Sequence, residues 1–239
     1  MPKPRLIRLE QAVATAFPDL ADPGAAIRDG RVEVAGTVRD NPATMVARDA
    51  PLLLDRKTGL RGTRKLAPAL ERFPVRPEGA VALDAGASAG GFTQALLDAG
   101  AARVYAVDVG FGQLVGTLRQ RGDVVVLERT NVADLDPRLV PDAVDVATLD
   151  LGYLALAEAL PQLERLRWAP GARLVALVKP MFELRLADPP EDEPTLLAAR
   201  DAAAEGARRA GWSVEDWIHS PVTGSRGARE LFLFAVRAG

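Results

Sequence analysis

The chain has 239 residues, 48% of them hydrophobic, which is enough apolar material for one large domain or a medium domain with a small companion. It contains no cysteine, which excludes disulfides, thiolate metal sites and cysteine nucleophiles. A formal net charge of −2 argues against a surface coated in nucleic-acid contacts, yet the front is basic. Through Arg72 there are 13 Lys/Arg against 9 Asp/Glu, and beyond it 17 against 23. That asymmetry permits RNA contact through the front, and ordinary surface scatter gives the same counts.

In chain order, Leu6–Phe17 has helical spacing (Leu6, Leu9, Val13, Phe17) and is broken by Pro18 and Asp22-Pro23-Gly24. Ala25–Asp29 reads as a short helix closed by Gly30. Arg31–Val38 alternates as a strand with a turn at Gly36, and Pro51–Asp55 supplies another strand. These elements predict a small α+β module over residues 1–55, a glycine-bearing linker over 56–64, and a larger domain over 65–239 that opens on the helix Lys65–Phe73. From Ala80 the pattern becomes short apolar runs alternating with helical stretches: Ala80–Leu83, Val104–Val107, Val124–Leu127, Val144–Leu149, Leu174–Val178 and Leu231–Val236. This predicts an α/β, doubly wound, Rossmann-like sheet that binds its ligand at the carboxyl ends of the strands. The acidic, proline-rich stretch Ala187–Pro194 reads as a mobile loop. The first residues lack the apolar core of a signal peptide, and no apolar run approaches the roughly 20 residues that span a bilayer. The expectation is a cytoplasmic protein without a membrane partner.

The strongest local signal is Asp84-Ala-Gly86-Ala-Ser88-Ala-Gly90-Gly91-Phe92, where an apolar strand ends in an acid, a glycine-rich turn follows and a helix begins. A dinucleotide site prefers G-x-G-x-x-G with pyrophosphate on the helix N-terminus. Here the spacing is G-x-x-x-G-G, and the acid repels pyrophosphate while suiting a cationic amino-acid ligand such as S-adenosylmethionine; a tight turn without ligand is the plainer alternative. Asp108, about twenty residues on, suits ribose hydroxyls. Thr130 and Asn131 either flank an adenine or, for Asn131, cap a helix. Asp150 and Lys179 follow two further strands and point to one crevice. Beside a cationic methyl donor Lys179 is expected to be lowered in pKa by desolvation and to act as a base; a salt bridge with Asp150 is compatible with that role.

On these stretches the chain from Lys65 to Glu230 resembles the TlyA (haemolysin A-like) branch of the FtsJ-type ribose 2′-O-methyltransferases. The matching residues are Lys65-Leu-x-x-Ala-Leu, Leu83-Asp84-x-Gly86-Ala-Ser88-x-Gly90-Gly91-Phe92-Thr, Gly100 to Leu114, Glu128-Arg-Thr-Asn131, Asp150, Leu177-Val-Lys179-Pro-x-Phe-Glu183, Ser220-Pro-x-Thr-Gly224 and Glu230. The resemblance implies a Lys65–Asp150–Lys179–Glu230 catalytic tetrad without metal. It also implies S-adenosylmethionine held by Asp84, Gly86, Ser88, Gly90, Gly91, Phe92, Asp108, Thr130, Asn131 and Asp150. Lys179 then deprotonates a ribose 2′-hydroxyl, Asp150 and Glu230 set its charge state, and Lys65 orients the acceptor. The implied partner is RNA, of the ribosome or a ribosomal subunit, and the front module is weakly similar to a small RNA-binding fold.

The chain departs from the family pattern in three places. Leu60-Arg-Gly-Thr-Arg64 replaces a Ser-Arg-Gly-Gly stretch, Asp150-Leu-Gly-Tyr153 replaces Asp-Val-Ser-Phe, and Leu184–Pro194 replaces a basic, glycine-rich loop. An acidic loop there is expected to repel phosphates. A methyltransferase of the same fold with another acceptor, such as a small molecule, and a non-catalytic cofactor- or RNA-binding protein are the rival readings. The sequence says nothing of oligomeric state.

Overall fold

The computed structural model describes residues 5–28, 30–35, 37–39, 41–54, 60–224 and 227–237. It divides into two compact units, 1–61 and 62–239. The turn expected at Gly36, the acids Asp29 and Asp55, and the linker residues 56–59 lie outside the described residues.

In the first unit the chain runs β1 (Leu6–Arg8), α1 (Leu9–Ala16), α2 (Pro23–Arg28), β2 (Val32–Val34), β3 (Thr37–Arg39), β4 (Met45–Ala47) and β5 (Leu52–Leu54). The helix expected from Leu6 starts at Leu9 instead, because Leu6–Arg8 pairs antiparallel with Met45–Ala47. Helical periodicity cannot see a three-residue strand whose partner lies forty residues on. β2 is the centre of an antiparallel β3-β2-β5 sheet. Leu9, Val13, Ala26, Ile27, Val32 and Val46 form this unit's core.

The second unit opens on α3 (Arg61–Arg72), which begins four residues ahead of Lys65. There follow β6 (Val81–Ala85), α4 (Gly91–Asp98), β7 (Arg103–Asp108), α5 (Gly116–Arg119), β8 (Val124–Glu128), β9 (Val144–Leu149), α6 (Leu156–Ala159), β10 (Trp168–Val178), α7 (Pro180–Glu183), α8 (Glu193–Arg209), β11 (Trp212–His219) and β12 (Leu231–Arg237). The sheet order is β11-β12-β10-β9-β6-β7-β8. β10, β9, β6, β7 and β8 run parallel; β12 returns antiparallel to β10, and the edge strand β11, antiparallel to β12, runs in the direction of the parallel five. The chain leaves β6 toward β7 and β8, then re-enters on the other side at β9. The ends of β6 and β9 therefore flank the switch point, where such sheets leave a crevice. Among the described residues, no helix is long and apolar enough to cross a membrane.

Three departures from the expected elements have simple causes. β10 is longer than Leu174–Val178 because it continues back through Pro170-Gly171 across a register shift. β11 was not expected at all: it is an edge strand whose Glu215 and Asp216 break the apolar alternation, with a bulge between Val214 and Asp216. The stretch read as a mobile loop ends inside α8. Asp192 accepts from the Thr195 amide at 2.9 Å and Pro194 occupies the first turn, a helix start rather than a helix break.

Candidate functional site

The glycine-rich turn sits between β6 and α4 at the switch point. Gly86 and Gly90 have φ of +90° and +96°, and a Cβ on Gly86 would collide with the Asp150 backbone. Only glycine lets the turn after β6 lie this close to the chain leaving β9. Ser88 also takes a positive φ, +46°, and its amide donates to Asp108 Oδ2 at 2.8 Å. Asp108 Oδ1 accepts the Gly110 amide at 2.7 Å, so one carboxylate at the end of β7 ties two loops together. Each oxygen keeps a further lone pair for an outside hydroxyl.

Two of the residues expected to hold a cofactor have partners within the protein. Asp84 is fully buried, and its oxygens accept the hydroxyls of Thr93 on α4 at 2.6 Å and Thr148 on β9 at 3.2 Å. Burial pushes its carboxyl up to about 7 against these hydrogen bonds, with the charge of Asp150 adding to the rise. Phe92 is 3% exposed and packs against Phe232, with ring centroids 6.0 Å apart. Both side chains are buried beneath the loop. Asn131 takes the capping role, its Oδ1 accepting the Ala133 amide at 3.0 Å. Thr130 donates its hydroxyl to the Glu128 carbonyl at 3.2 Å.

Glu128 stands out in the sequence only as part of the stretch Glu128-Arg-Thr-Asn131. In the structure its carboxylate accepts the amides of Gly112 and Gln113 at 2.9 and 3.1 Å and Arg119 at 2.6 Å. Desolvation raises its pKa, but Arg119 and the amides outweigh it and hold the group below the ordinary value. The signal was its place, an acid ending a strand beside Asp108. The loop after β7 is thus moulded by two carboxylates in succession.

Four charged side chains from four separate elements converge beside this turn. Lys65, on α3 and 7% exposed, donates to Glu230 Oε2 at 2.7 Å and lies 4.0 Å from Asp150 Oδ2. Lys179, at the end of β10, bonds Asp150 Oδ1 at 2.5 Å. Gly224 stands against Glu230, where a Cβ would strike its carboxylate, and the Ser220 amide donates to the Glu230 carbonyl at 2.9 Å. Two cations and two anions neutralise one another, which is what permits so many charges at low exposure.

Desolvation, expected to lower Lys179, is outweighed among the protein's own groups. Burial is the largest single influence and pulls its pKa down, but Asp150 and Glu230 together outweigh it, and the net shift is upward. As it stands in this structure the amine is a protonated partner of Asp150.

α3 is locked to α4 through its first turn. Gly62 and Gly91 meet backbone to backbone, a Cβ on Gly62 falling 2.9 Å from the Gly91 Cα, and Thr63 Oγ1 donates to the Gly91 carbonyl at 2.9 Å. The threonine that departs from the Gly-Gly pattern therefore has a partner of its own. The acidic stretch is likewise occupied. Arg229, next to Glu230, bonds Glu193 at 2.6 Å and the Glu191 carbonyl at 3.2 Å, and His219 lies 3.0 Å from Glu193. With Asp192 capping α8, two of the stretch's four carboxylates, Asp192 and Glu193, are engaged. A cleft of about 320 Å³, formed by the stretches that follow Asp150 and Lys179 in the chain, is lined by Tyr153, Ala155, Glu158, Met181, Phe182 and Arg185. Among the described residues no group of three or more His, Asp or Glu is arranged to hold a metal.

Comparison with known proteins bears on this arrangement. The pattern of the FtsJ-like methyltransferase family matches residues 60–237. The 16S/23S rRNA (cytidine-2′-O)-methyltransferase TlyA of Mycobacterium tuberculosis is 40% identical over 214 residues, covering 86% of this chain and 80% of that protein. A solved structure from Streptococcus thermophilus, described as a candidate hemolysin, matches with a TM-score of 0.74 at 28% identity, over 98% of this chain and 89% of the other. Aeropyrum pernix fibrillarin, solved with S-adenosyl-L-methionine, matches at 15% identity with a TM-score of 0.53 over 73% of this chain and 76% of its own, a likeness of fold.

Proposed function

The chain belongs to the FtsJ-like methyltransferase family, and from that premise we propose that it is an S-adenosylmethionine-dependent ribose 2′-O-methyltransferase of structured, ribosomal RNA, working in the cytoplasm. The observation that carries this reading is the joining of Lys65, Asp150, Lys179 and Glu230 into one buried charge cluster beside the glycine turn.

The site suits the cofactor by its donor set. Asp108 has lone pairs for two ribose hydroxyls, the Gly86–Gly91 turn offers bare backbone, and Thr130 and Asn131 flank the end of β8. When bound, S-adenosylmethionine supplies a methyl group as an electrophile. Asp84 and Phe92 keep the turn in shape from the core side.

The rest of the chemistry belongs to the chain's own side chains. Asp150 fixes Lys179 Nζ, and Glu230 fixes Lys65, which also lies near Asp150. The neutral amine of Lys179 takes the proton from the acceptor 2′-hydroxyl, a role that requires the ammonium to give up its proton first. Lys65 stays charged against Glu230 and orients the acceptor. Holding the reacting oxygen in line supplies most of the acceleration.

In this reading the small front unit, residues 1–55, delivers RNA, with Arg61 and Arg64 on α3 and the linker residues Arg56 and Lys57 as phosphate contacts. The test is incubation of total RNA with labelled cofactor, followed by nucleoside mass mapping and a salt titration of RNA affinity. Label in 2′-O-methylated ribose, with binding that weakens steeply as salt rises, supports it. Label on a base or a small molecule, or RNA binding indifferent to salt, overturns it.

A further inference from the structure

Glu183 is a partly buried acid that the tetrad does not use. It lies one helical turn after Lys179. The Lys179 carbonyl accepts the Phe182 and Glu183 amides at 2.9 and 3.1 Å, which folds α7 directly onto the lysine. The carboxylate leaves that element, and its Oε1 accepts the amide of Leu156, the first residue of α6, at 2.8 Å. This amide is one of the donors that a helix start leaves without an internal partner.

Leu156 ends the irregular segment that begins at Asp150. At the other end of that segment the Asp150 amide donates to the Ala85 carbonyl at 2.9 Å, and the Gly86 backbone packs against the Asp150 carbonyl. The segment is therefore pinned twice, to the cofactor strand at Asp150 and to the Lys179 turn through Glu183. Tyr153 and Ala155, between the pins, form one wall of the cleft, and Met181 and Phe182, between Lys179 and Glu183, form another.

We propose that Glu183 is a positioning residue that fastens the Asp150–Leu156 segment to the Lys179 turn, so that Asp150 meets Lys179 squarely and the acceptor cleft keeps its width. The functional part of this inference rests on Lys179 being the base; the fastening itself does not. Burial pushes the Glu183 carboxyl up to about 7, the Leu156 amide opposes the rise, and Glu158 on α6 adds to it. Glu158 itself receives Arg185, just beyond α7, at 3.1 Å. The ionised carboxylate is the stronger acceptor, so the fastening tightens as pH rises through neutrality.

The experiment compares the full-length chain with Glu183→Ala and Glu183→Gln. It reads methyl transfer to RNA across the neutral range, cofactor affinity, and hydrogen exchange of the 150–156 segment. Losing a charge-assisted hydrogen bond is expected to cost about tenfold in kcat/KM for RNA in Glu183→Ala, with exchange about tenfold faster and cofactor affinity within about twofold of wild type. Glu183→Gln, which still presents an acceptor oxygen, is expected to recover most of the turnover and to lose the inflection near pH 7 in both activity and exchange. Wild-type exchange in Glu183→Ala, or an inflection retained in the exchange of the Leu156 amide itself in Glu183→Gln, overturns the proposal. If Glu183→Ala does not fold, the glutamine variant decides alone. If the wild type itself transfers no methyl to RNA, the proposed function falls while exchange still decides the fastening.

Discussion

Lys65 and Glu230 stand 165 residues apart and meet at 2.7 Å, exposed by only 7% and 5%. One lies on the first helix of the larger unit and the other at the entry to its last strand. Removing either partner leaves the other charge buried. Lys65→Ala and Glu230→Ala are each expected to lose about 3–5 kcal/mol of stability, since breaking a buried pair costs more than the pair contributes. A Lys65→Met/Glu230→Leu double variant is expected to regain much of that loss while remaining inactive. Urea denaturation beside a methyl-transfer assay checks this; a double variant less stable than both singles would refute it.

Lys179→Ala is expected to lower turnover by about 10²–10⁴-fold while cofactor affinity changes little. Because its pKa is raised, the free enzyme carries Lys179 as ammonium at neutral pH, and turnover should climb as pH rises. Asp150→Asn removes the first of the carboxylates that raise it, so the alkaline limb should move to lower pH. A limb that stays in place assigns the titration to another group. The same raised pKa stabilises the folded chain at all pH values below the unfolded lysine's 10.5, a contribution lost only as pH rises through the folded-state value.

Asp84 gives stability a pH dependence of the same sign in a lower pH range. Its carboxyl is raised from 3.8 to about 7, so the folded chain holds this proton more tightly than the unfolded chain. Between those values unfolding releases a proton, and stability falls as pH rises. Asp84→Asn lacks this titration. The stability of Asp84→Asn relative to wild type should therefore grow from about pH 4 to about pH 7 and level off above that. Denaturant midpoints measured across that range decide it. A difference constant with pH would mean that Asp84 is ionised throughout.

Gly62 and Gly91 leave no room for a methyl group between α3 and α4. Alanine at either position is expected to cost about 1–3 kcal/mol through overpacking, despite alanine's better helix propensity. Turnover should fall further than stability alone explains, because α3 carries Lys65. Gly116→Ala, where a Cβ meets nothing within 4 Å, is the control and should be neutral. Thermal melts and steady-state rates of the three variants test the contact.

What the sequence determined by itself was local. The order of strands and helices in the larger unit follows from apolar runs of strand length, and the glycine turn from residues that alone accept φ near +90°. The positions of Asp108, Asp150 and Lys179 follow from their places at strand ends. Residues whose role depends on a distant partner were hidden. β1 is a strand because of Met45–Ala47, and β11 because β12 lies beside it. Asp84 and Phe92 share a motif with the glycine turn, yet the pleat turns Asp84 toward Thr93 and Thr148, and packing turns Phe92 onto Phe232. The charge state of Lys179 was the hardest to foresee. Its direction is set by the balance of burial against two carboxylates, one just after β9 and the other ahead of β12. A sequence displays each of those charges; only the folded sheet sets the distances on which their interaction depends.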